Sequence, residues 1–327
     1  SELFSFPYLK SLSSYKKLTR STFKSEEMRH IFERYTTYVG SSPTKTPGMF
    51  FIIPYIEFAF GSWYIKGGIY NLIESLENLL EKNNVEVLKN TEIKKIRSYK
   101  KNVIGVDTEN ESIKTDIVVN NSDVSNLSSL TGLVHKNKIS DYSLSGFILL
   151  LGIKKKIKSG HHNILFSNDY NKEFDDLFAK RTFPEDPTIY LCNPVVTDNS
   201  VAPENYSSLF IMANSPATQN TWSQSEVEIA TAKIFKKLSH YGYEITSKDI
   251  EVKKIQSPNY FMKEHNSFGG SLYGKSSHGY INSFFRHPNK GSIKGLYNVG
   301  GTTHPGGGTP TVLKSSKITT NLINNDF

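Results

Sequence analysis

The stretch GLYNVGGTTHPGGGTPTVLKSSKITTNLI (residues 295–323) decides the fold class of this chain. It starts as a short apolar segment typical of a strand, passes through a glycine-rich loop and ends in a helical pattern. Gly300 and Gly301 allow a ligand to approach the backbone closely, because glycine has no Cβ. Thr309 suits a helix N-cap and Pro310 a first helical position. A helix N-terminus reached in this way favours a phosphate or a developing anion, although an ordinary flexible loop is the alternative interpretation.

Upstream of this stretch, hydrophobic periodicity predicts a helix over residues 224–241. Ser223 and Glu226 are spaced as a capping box, which fixes the start of that helix. Before it, runs rich in apolar and β-branched residues predict strands. These runs are LSGFILLLGI (144–153), HNILFS (162–167), TIYLCNPVV (188–196) and SSLFIMANSP (207–216).

The middle of the chain predicts a helix followed by strands. Ile69, Leu72, Ile73, Leu76, Leu79 and Leu80 form one apolar stripe at the helical period. Strand patterns then follow at VEVL (85–88), TEIKKI (91–96), NVIGVDT (102–108) and TDIVVN (115–120). A helix, a small meander and a further strand are a common order in flavoprotein cofactor domains, so the predicted class is α/β.

Composition narrows the possible partners. The chain has 327 residues and a formal net charge of +8, but its lysines are scattered and no nucleic-acid-binding motif is present. Nucleic acid is therefore not expected, and the charge fits either an anionic membrane surface or a plain solvated surface. The apolar run at 49–56 is shorter than the roughly 20 residues that cross a bilayer. The single cysteine, Cys192, fits a reducing compartment and is interpreted as a small buried residue without chemistry.

Four blocks of the sequence resemble carotenoid (phytoene and diapophytoene) desaturases. GLYNVGGTTHPGGGTP (295–310) resembles the C-terminal FAD signature of that family, and residues 34–76 resemble its central segment. TDIVVNNSDV (115–124) and DPTIYLCNPVVTDNSVAPENYSSLFIM (186–212) are similar to two further family elements. The blocks stand in the family's order and together extend over nearly the whole chain.

The resemblance implies a glutathione-reductase-like FAD-binding domain interleaved with a mixed α+β substrate domain. Residues 1–68 would form a substrate and membrane-contact segment, 69–125 and 291–327 would belong to the FAD-binding domain, and 126–290 would form the substrate domain. Ile93 would place its backbone near the adenine. Asn121 and Asp123 would close a strand beside the cofactor, although a plain Asx turn is the alternative. The residues expected to line the flavin ring are Gly300, Gly301, Thr303, His304, Pro305, Gly306, Gly308 and Pro310.

Three features depart from the family pattern. Thr309 stands where an aliphatic residue is usual, and Lys314-Ser315-Ser316 replaces a small-residue helix face, so Lys314 is expected to point to solvent. The pattern G-x-G-x-x-G does not occur, and GGSLYG (269–274) has the wrong spacing. The family carries this pyrophosphate cradle at its N-terminus, so we expect a further segment of the polypeptide upstream of Ser1.

A carotenoid precursor is a long apolar rod, so the resemblance also implies an apolar tunnel reached from a membrane. Residues 50–65 are the most aromatic part of the chain, and we expect them to form the tunnel wall or the membrane entry, with an aromatic core segment as the alternative. The basic residues of the N-terminal stretch, from Lys10 to Lys24, would then face anionic headgroups. The expected location is cytoplasmic and peripheral at the membrane. The expected tunnel residues are Phe51, Tyr55, Phe58, Phe60, Trp63 and Tyr64.

Desaturation needs a hydride acceptor and a site for the released proton. Arg29 matches an arginine that the family places near its active site, and Glu26 is a nearby acid; a solvated helix face with i,i+3 pairing is the alternative. His161, His162 and His304 were considered as metal ligands, but no cysteine or carboxylate cluster accompanies them in the sequence, so no metal site is expected.

The expected activity is FAD-dependent desaturation of phytoene-like hydrocarbons. A carotenoid ketolase, oxidase or saturase of the same family, an amine oxidase of related fold and an inactive lipid-binding remnant are the alternatives.

Overall fold

The computed structural model of the protein describes residues 13–133 and 138–327. Lys10 lies outside these ranges. Within them the strands form one five-stranded antiparallel sheet, a three-stranded antiparallel sheet and one parallel pair. In chain order the strands are β1 (Lys95–Tyr99), β2 (Asn102–Asp107), β3 (Ser112–Ile113), β4 (Val118–Asn120), β5 (Ser145–Ile153), β6 (His162–Leu165), β7 (Ile189–Cys192), β8 (Ser207–Ser215), β9 (Ile250–Gln256) and β10 (Leu296–Asn298).

The helices of the described residues flank these sheets. They are α1 (Tyr15–Thr22), α2 (Glu26–Glu33), α3 (Ile52–Phe60), α4 (Tyr70–Lys82), α5 (Leu127–Thr131), α6 (Tyr170–Asp175), α7 (Gln224–His240), α8 (Pro258–His265), α9 (Gly279–Phe284) and α10 (Thr309–Asp326). A 3₁₀ segment at Arg34–Val39 follows α2 and ends at Gly40, whose φ of 61° lies in the left-handed region. Every helix in these ranges is too short or too polar to span a bilayer.

The five-stranded sheet, in the order β6-β7-β8-β5-β9, holds the main core. Strand β5 is almost continuously apolar and pairs with both β8 and β9, whereas β8 alternates buried and half-buried residues. Helix α7 covers the sheet with Ala230, Ile234 and Leu238. The capping box of Ser223 and Glu226 is present at its start, so the predicted helix and its cap are confirmed.

The parallel pair joins distant parts of the chain. Residues 118–120 of β4 pair in register with residues 296–298 of β10. The five-stranded sheet is formed by the intervening chain, so the strand before it and the strand after it meet again. Beneath this pair a second core cluster includes Ile96, Val103 and Leu296.

Three sequence predictions about local structure are wrong in detail. Residues 85–88 form no strand, and the strand predicted from residue 91 begins at Lys95; the exposed side chains of 85–88 have no neighbouring strand in the described ranges with which to pair. The predicted helix α4 is confirmed, although none of its residues is buried and its apolar stripe lies on the surface. The N-cap of α10 is Gly308 (φ 100°) rather than Thr309, because the turn into the helix requires a left-handed residue.

Candidate functional site: a glycine loop between two cavities

The glycine loop leaves the carboxyl end of β10, next to the carboxyl end of β4. In open α/β sheets ligands bind in the crevice beyond these strand ends. Gly300 has a φ of 104°, and a Cβ at this position would collide with Oδ1 of Asn121. The side chain of Asn121 therefore lies directly against the first glycine of the loop, as the resemblance implies.

Ser315 of α10 links two parts of the glycine loop through hydrogen bonds. Its hydroxyl accepts a hydrogen bond from the amide of Gly300 at 3.3 Å and donates one to the carbonyl of His304 at 2.9 Å. Ser315 is fully buried, whereas its neighbours Lys314 and Ser316 are exposed. The prediction that Lys314 points to solvent is confirmed, and the serine that departs from the family pattern has a structural task.

A cavity of about 450 Å³ lies beside the loop. Asn121, Asp123 and Gly301 line it together with Ser271 and Thr302. The structure thus brings the two predicted Asx residues and one of the predicted glycines to a single cavity. The other predicted loop residues follow Gly301 in the same turn and in the start of α10; they are Thr303, His304, Pro305, Gly306, Gly308 and Pro310.

Several buried polar atoms around this cavity have no hydrogen-bond partner among the described residues. They include Oδ2 of Asp123, Oγ of Ser271 and Oγ of Thr303. Burial raises the pKa of the Asp123 carboxyl, although hydrogen bonds from Ser125 oppose this shift. Unpaired buried acceptors and hydroxyls cost free energy, and they are common where a polar ligand completes the site.

Arg286 stands behind the loop and was missed by the sequence analysis. It donates to the carbonyl of Tyr273 and, at 3.2 Å, to that of Lys275, and a Cβ at Gly306 would lie 3.3 Å from its Nε. Burial lowers the pKa of this guanidinium to about 10, and its Nε has no described partner. The site therefore combines a glycine-rich backbone, a helix N-terminus and a buried cation, a set that fits the phosphates and the reduced ring of a flavin nucleotide.

Ile93 is not brought to this cavity. It precedes β1 and packs against the core cluster beneath the parallel pair. The structure therefore gives Ile93 a packing role within the described residues.

A larger cavity of about 520 Å³ has Tyr273 in its lining. Most of its lining is apolar or aromatic, with one arginine and one carboxylate. The lining residues are Ile31, Arg34, Tyr35, Thr37, Tyr38, Glu57, Ser62, His162, Ile164, Thr188, Tyr190, Met212, Asn214 and Tyr273. Tyr273 contacts the glycine loop as well, since a Cβ at Gly307 would collide with its ring.

Tyr35 and Arg34 are two polar residues of the larger cavity whose contacts are defined. The hydroxyl of Tyr35 donates to Oε1 of Glu57 at 2.8 Å, and burial together with this carboxylate raises the pKa of Tyr35. The guanidinium of Arg34 lies 5.7 Å from the centre of the Tyr190 ring, and its Nε has no described hydrogen-bond partner. The cavity therefore holds a carboxylate and a cation among apolar, aromatic and neutral polar residues.

The predicted catalytic pair lies elsewhere. Arg29 pairs with Glu26 one helical turn away and donates from Nε to the carbonyl of Phe23 at 2.9 Å. Glu26 is exposed, and neither residue lines either cavity. The geometry favours the i,i+3 surface pair, and Arg34 rather than Arg29 is the arginine at the cavity.

The expected tunnel residues lie mostly on the outside of α3 and the segment that follows. Tyr55, Phe58, Phe60, Trp63 and Tyr64 are exposed, with Trp63 at 91% and both phenylalanines at 70%, while Phe51 is half-buried and stacks on Tyr15. None of the six lines the larger cavity, to which this part of the chain contributes Glu57 and Ser62. The tunnel-wall interpretation is therefore wrong for the side chains in this structure, whereas a surface role remains open to them.

The sequence analysis was also wrong about the histidine pair. It found no cysteine accompanying His161 and His162, but the pairing of β6 with β7 places Cys192 directly opposite His162. The thiol and one nitrogen of each ring lie within 4.8 Å of one another. Cys192 is half-buried rather than buried.

Residues 4–324 match the sequence profile of the flavin containing amine oxidoreductases. The chain belongs to this family. Its fold agrees with this assignment: the structure resembles an oxidoreductase from Methanosarcina mazei (TM-score 0.62, 16% identity, 94% of this chain and 68% of that one). It also resembles cyclohexylamine oxidase from Brevibacterium oxydans (TM-score 0.52, 11% identity, 97% and 69%). An α/β flavoprotein fold is thereby confirmed.

Within this flavin-dependent family, similar sequences include carotenoid enzymes. The chain is 36% identical to 1-hydroxycarotenoid 3,4-desaturase from a Flavobacterium species over 93% of its own length and 63% of the relative. It is 32% identical to zeta-carotene-forming phytoene desaturase of Myxococcus xanthus over 92% and 60%. It is 28% identical to 4,4'-diaponeurosporene oxygenase of Staphylococcus haemolyticus over 92% and 62%. The chain thus spans about three fifths of the length of the first two relatives.

Proposed function

We propose that this chain is the larger part of an FAD-dependent desaturase of phytoene-like carotenoid precursors. The observation that carries the proposal is the glycine loop at the carboxyl ends of β4 and β10, together with Tyr273, whose ring contacts Gly307 of the loop and also lines the larger cavity. A redox cofactor at the loop and a hydrocarbon in the cavity would meet near Tyr273. The similarity to two carotenoid desaturases supports the same substrate class.

Each part of the site has a task in this reaction. Bound FAD would accept a hydride from a C–H bond at flavin N5. The apolar lining, including Ile31, Ile164 and Met212, would align the hydrocarbon and exclude water. The proton lost from the neighbouring carbon needs an acceptor, and Glu57 is the carboxylate that lines the cavity. Glu57 thus takes the place that the sequence analysis gave to Glu26.

Arg286 and the N-terminus of α10 contribute electrostatically. Both place positive charge behind or at the glycine loop, and reduction of a flavin leaves negative charge on its ring. Together they would favour the reduced cofactor and so the uptake of hydride.

Membrane attachment belongs to the same proposal. The exposed side chains Tyr55, Phe58, Phe60 and Trp63 form what we call the aromatic surface. Such a surface fits the membrane interface, where a carotenoid precursor is dissolved. Lys17 and Lys24 are exposed on the N-terminal stretch and would face anionic headgroups, whereas Arg20 is paired with Glu26 and Glu33. The enzyme would work at the cytoplasmic side as a peripheral protein.

The domain division follows the return of the chain to the parallel pair. Residues 69–125 and 291–327 would form the described part of the FAD-binding domain, and 126–290 the substrate domain, with 1–68 at the membrane. The exposed apolar stripe of α4 would be covered by an upstream segment that carries the remaining diphosphate contacts. Such an upstream segment agrees with the greater length of the carotenoid relatives.

A carotenoid oxygenase or oxidase is the second candidate. The similarity to 4,4'-diaponeurosporene oxygenase favours it, because the chain is 28% identical to that relative over 92% of its own length. The two candidates differ in their products: a desaturase adds conjugated double bonds, and an oxygenase adds oxygen.

The test uses the polypeptide with its upstream segment, purified and examined for a flavin spectrum. Flavin released by denaturation should have the mass of FAD. Incubation with phytoene in liposomes should yield products with longer-wavelength absorption and unchanged oxygen content. A colourless protein would refute the cofactor assignment, oxygen-containing products would favour the second candidate, and a flavin-loaded protein inert to all polyenes would refute the substrate class.

Gly301→Ala tests whether the flavin binds beside the glycine loop. A Cβ at this position would meet Cα of Gly307 at 3.5 Å, an ordinary contact, so the fold should tolerate it. Because Gly301 lines the cavity beside the loop, the added methyl group would intrude on a bound flavin. We expect a folded protein with reduced flavin content.

A further inference from the structure

A cluster of metal-binding side chains lies at one end of the five-stranded sheet. His162 is the first residue of β6 and Cys192 the last residue of β7, and the two are direct cross-strand partners. Opposite residues of an antiparallel pair project from the same face, so the imidazole and the thiol share one side of the sheet. His161 precedes the strand, and the centre of its ring lies 4.3 Å from that of His162, with the two rings tilted by 41°.

Neighbouring groups orient the two rings. Nδ1 of His161 lies 2.7 Å from the hydroxyl of Thr197, and Nδ1 of His162 lies 2.8 Å from the hydroxyl of Tyr190. Hydrogen bonds at Nδ1 leave Nε2 of each ring as the free ligand nitrogen. Outer contacts of this kind hold the tautomer and the ring plane of metal-bound histidines in known sites.

From this geometry we infer that His161, His162 and Cys192 form a site for a thiophilic divalent cation, with Zn²⁺ as the best match. Two imidazoles and one thiolate are a ligand set typical of zinc, and a water molecule would complete the tetrahedron. Zinc ligands of these kinds stand about 3.4–3.6 Å apart in a tetrahedral site. The thiol and one nitrogen of each ring lie within 4.8 Å of one another, which is near the separation that a shared cation requires.

The thiol is the decisive ligand. Arg34 holds its guanidinium near the ring of Tyr190, which places positive charge on the cavity side of the cluster. Two neutral imidazoles alone would not offset this charge. The thiolate of Cys192 supplies the one negative charge among the three ligands, after passing its proton to solvent when the metal binds.

The site also meets the larger cavity. His162 and Tyr190 line that cavity, whereas Cys192 lines a separate groove beside β8. A bound cation would fix His162 and its partner Tyr190 at the cavity rim. The positions of His162 and Tyr190 at the cavity would then depend on the metal. The metal site itself does not depend on the proposed desaturase activity.

The test is titration of the purified chain with Co²⁺ and Zn²⁺ in a buffer that does not chelate metals. Cys192 is the single cysteine of this sequence. A sulfur-to-cobalt charge-transfer band that saturates at one cobalt per chain, and disappears when Zn²⁺ is added, would therefore identify its thiolate as a ligand.

Variants separate this site from adventitious binding. Cys192→Ser should abolish the charge-transfer band, and His162→Gln should weaken binding by at least about tenfold. His240→Gln removes an exposed histidine at the end of α7 and should leave the titration unchanged. Circular dichroism of each variant confirms that it is folded. Absence of the band in the folded parent chain, saturation at half an equivalent, or equal zinc affinity in Cys192→Ser would each overturn the inference.

Discussion

The ring of Tyr273 packs directly against the backbone of Gly307, so one side chain forms both the wall of the larger cavity and a support of the glycine loop. The opposite edge of the ring is also confined, because a Cβ at Gly40 would lie 2.7 Å from Cδ2 of Tyr273. Packing against Gly307 and Gly40 accounts for the position of the Tyr273 ring. In the proposed function, this contact would set the distance between the cofactor and the substrate.

Replacing Gly307 by alanine should destabilise the protein. The new methyl group would collide with a ring that is held on both sides, and overpacking of this kind costs about 1–3 kcal/mol. Gly301→Ala is the control, with an expected change within about 0.5 kcal/mol. Urea denaturation of both variants measures the difference; equal midpoints for the two would show that Tyr273 yields freely.

Ser315→Ala should loosen the glycine loop. The substitution leaves the buried amide of Gly300 without its described acceptor and the carbonyl of His304 without this donor, at a cost of about 1–3 kcal/mol. Ser316→Ala changes the adjacent, exposed serine and should have almost no effect. Thermal denaturation and, in the longer polypeptide, flavin content are the measurements. A flavin content that is the same in both variants would contradict a role for Ser315 in shaping the loop.

Glu173 should make stability depend on pH. Its carboxylate accepts hydrogen bonds from the amide of Thr188 at 3.0 Å and its hydroxyl at 2.5 Å, yet burial raises its pKa from 4.5 to about 7. Lys237 and Arg34 favour the charged form but are outweighed. As the pH rises above 4.5 the unfolded chain releases this proton while the folded chain keeps it, so the free energy of unfolding falls until the pH passes about 7.

Between pH 4.5 and about 7, the Glu173 carboxyl should lower the free energy of unfolding by roughly 3 kcal/mol. Glu173→Gln resembles the protonated form and should flatten the stability profile between pH 5 and 8. Glu244→Gln alters an exposed acid and should keep the parent slope. Denaturant midpoints at several pH values provide the comparison, and a parent protein whose stability rises over this range relative to Glu173→Gln would contradict the prediction.

The aromatic surface should anchor the protein to lipid. Phe60→Ser combined with Trp63→Ser removes two of its most exposed rings, and the lost apolar contact should weaken binding to anionic liposomes by about tenfold or more. Tyr99→Ser removes an exposed ring from β1 and serves as the control. Co-sedimentation at low salt gives the result. If the intact polypeptide stays in the supernatant, the membrane proposal fails.

Local sequence signals predicted much of this fold. The capping box at Ser223 and the continuous apolar run of β5 depend on neighbours in sequence, and both formed as expected. The strand predicted at 85–88 did not form, since a strand requires a partner that its own residues cannot specify. The N-cap moved from Thr309 to Gly308, because the backbone path into α10, rather than side-chain preference, selects the residue.

Some residues of the candidate site were also expected from the sequence, and others were missed. Asn121, Asp123 and the glycine loop were expected from the family resemblance, and the structure places Asn121, Asp123 and Gly301 at one cavity. Arg34, Tyr273 and Arg286 were missed, because nothing near them in sequence marks a cavity wall or a buried cation. The Cys192 cluster was missed for a related reason: thirty residues separate the cysteine from His162, and only strand pairing brings them together.

The sequence by itself determined the class of this protein, a strand, glycine loop and helix built for a flavin, because those preferences act over a few neighbouring residues. The tertiary structure alone decided which side chains face each other across the chain. It turned the aromatic segment outward, placed Arg34 and Glu57 in the larger cavity, and set a thiol beside two imidazoles. Such contacts depend on long-range packing and strand register, which the order of residues does not display.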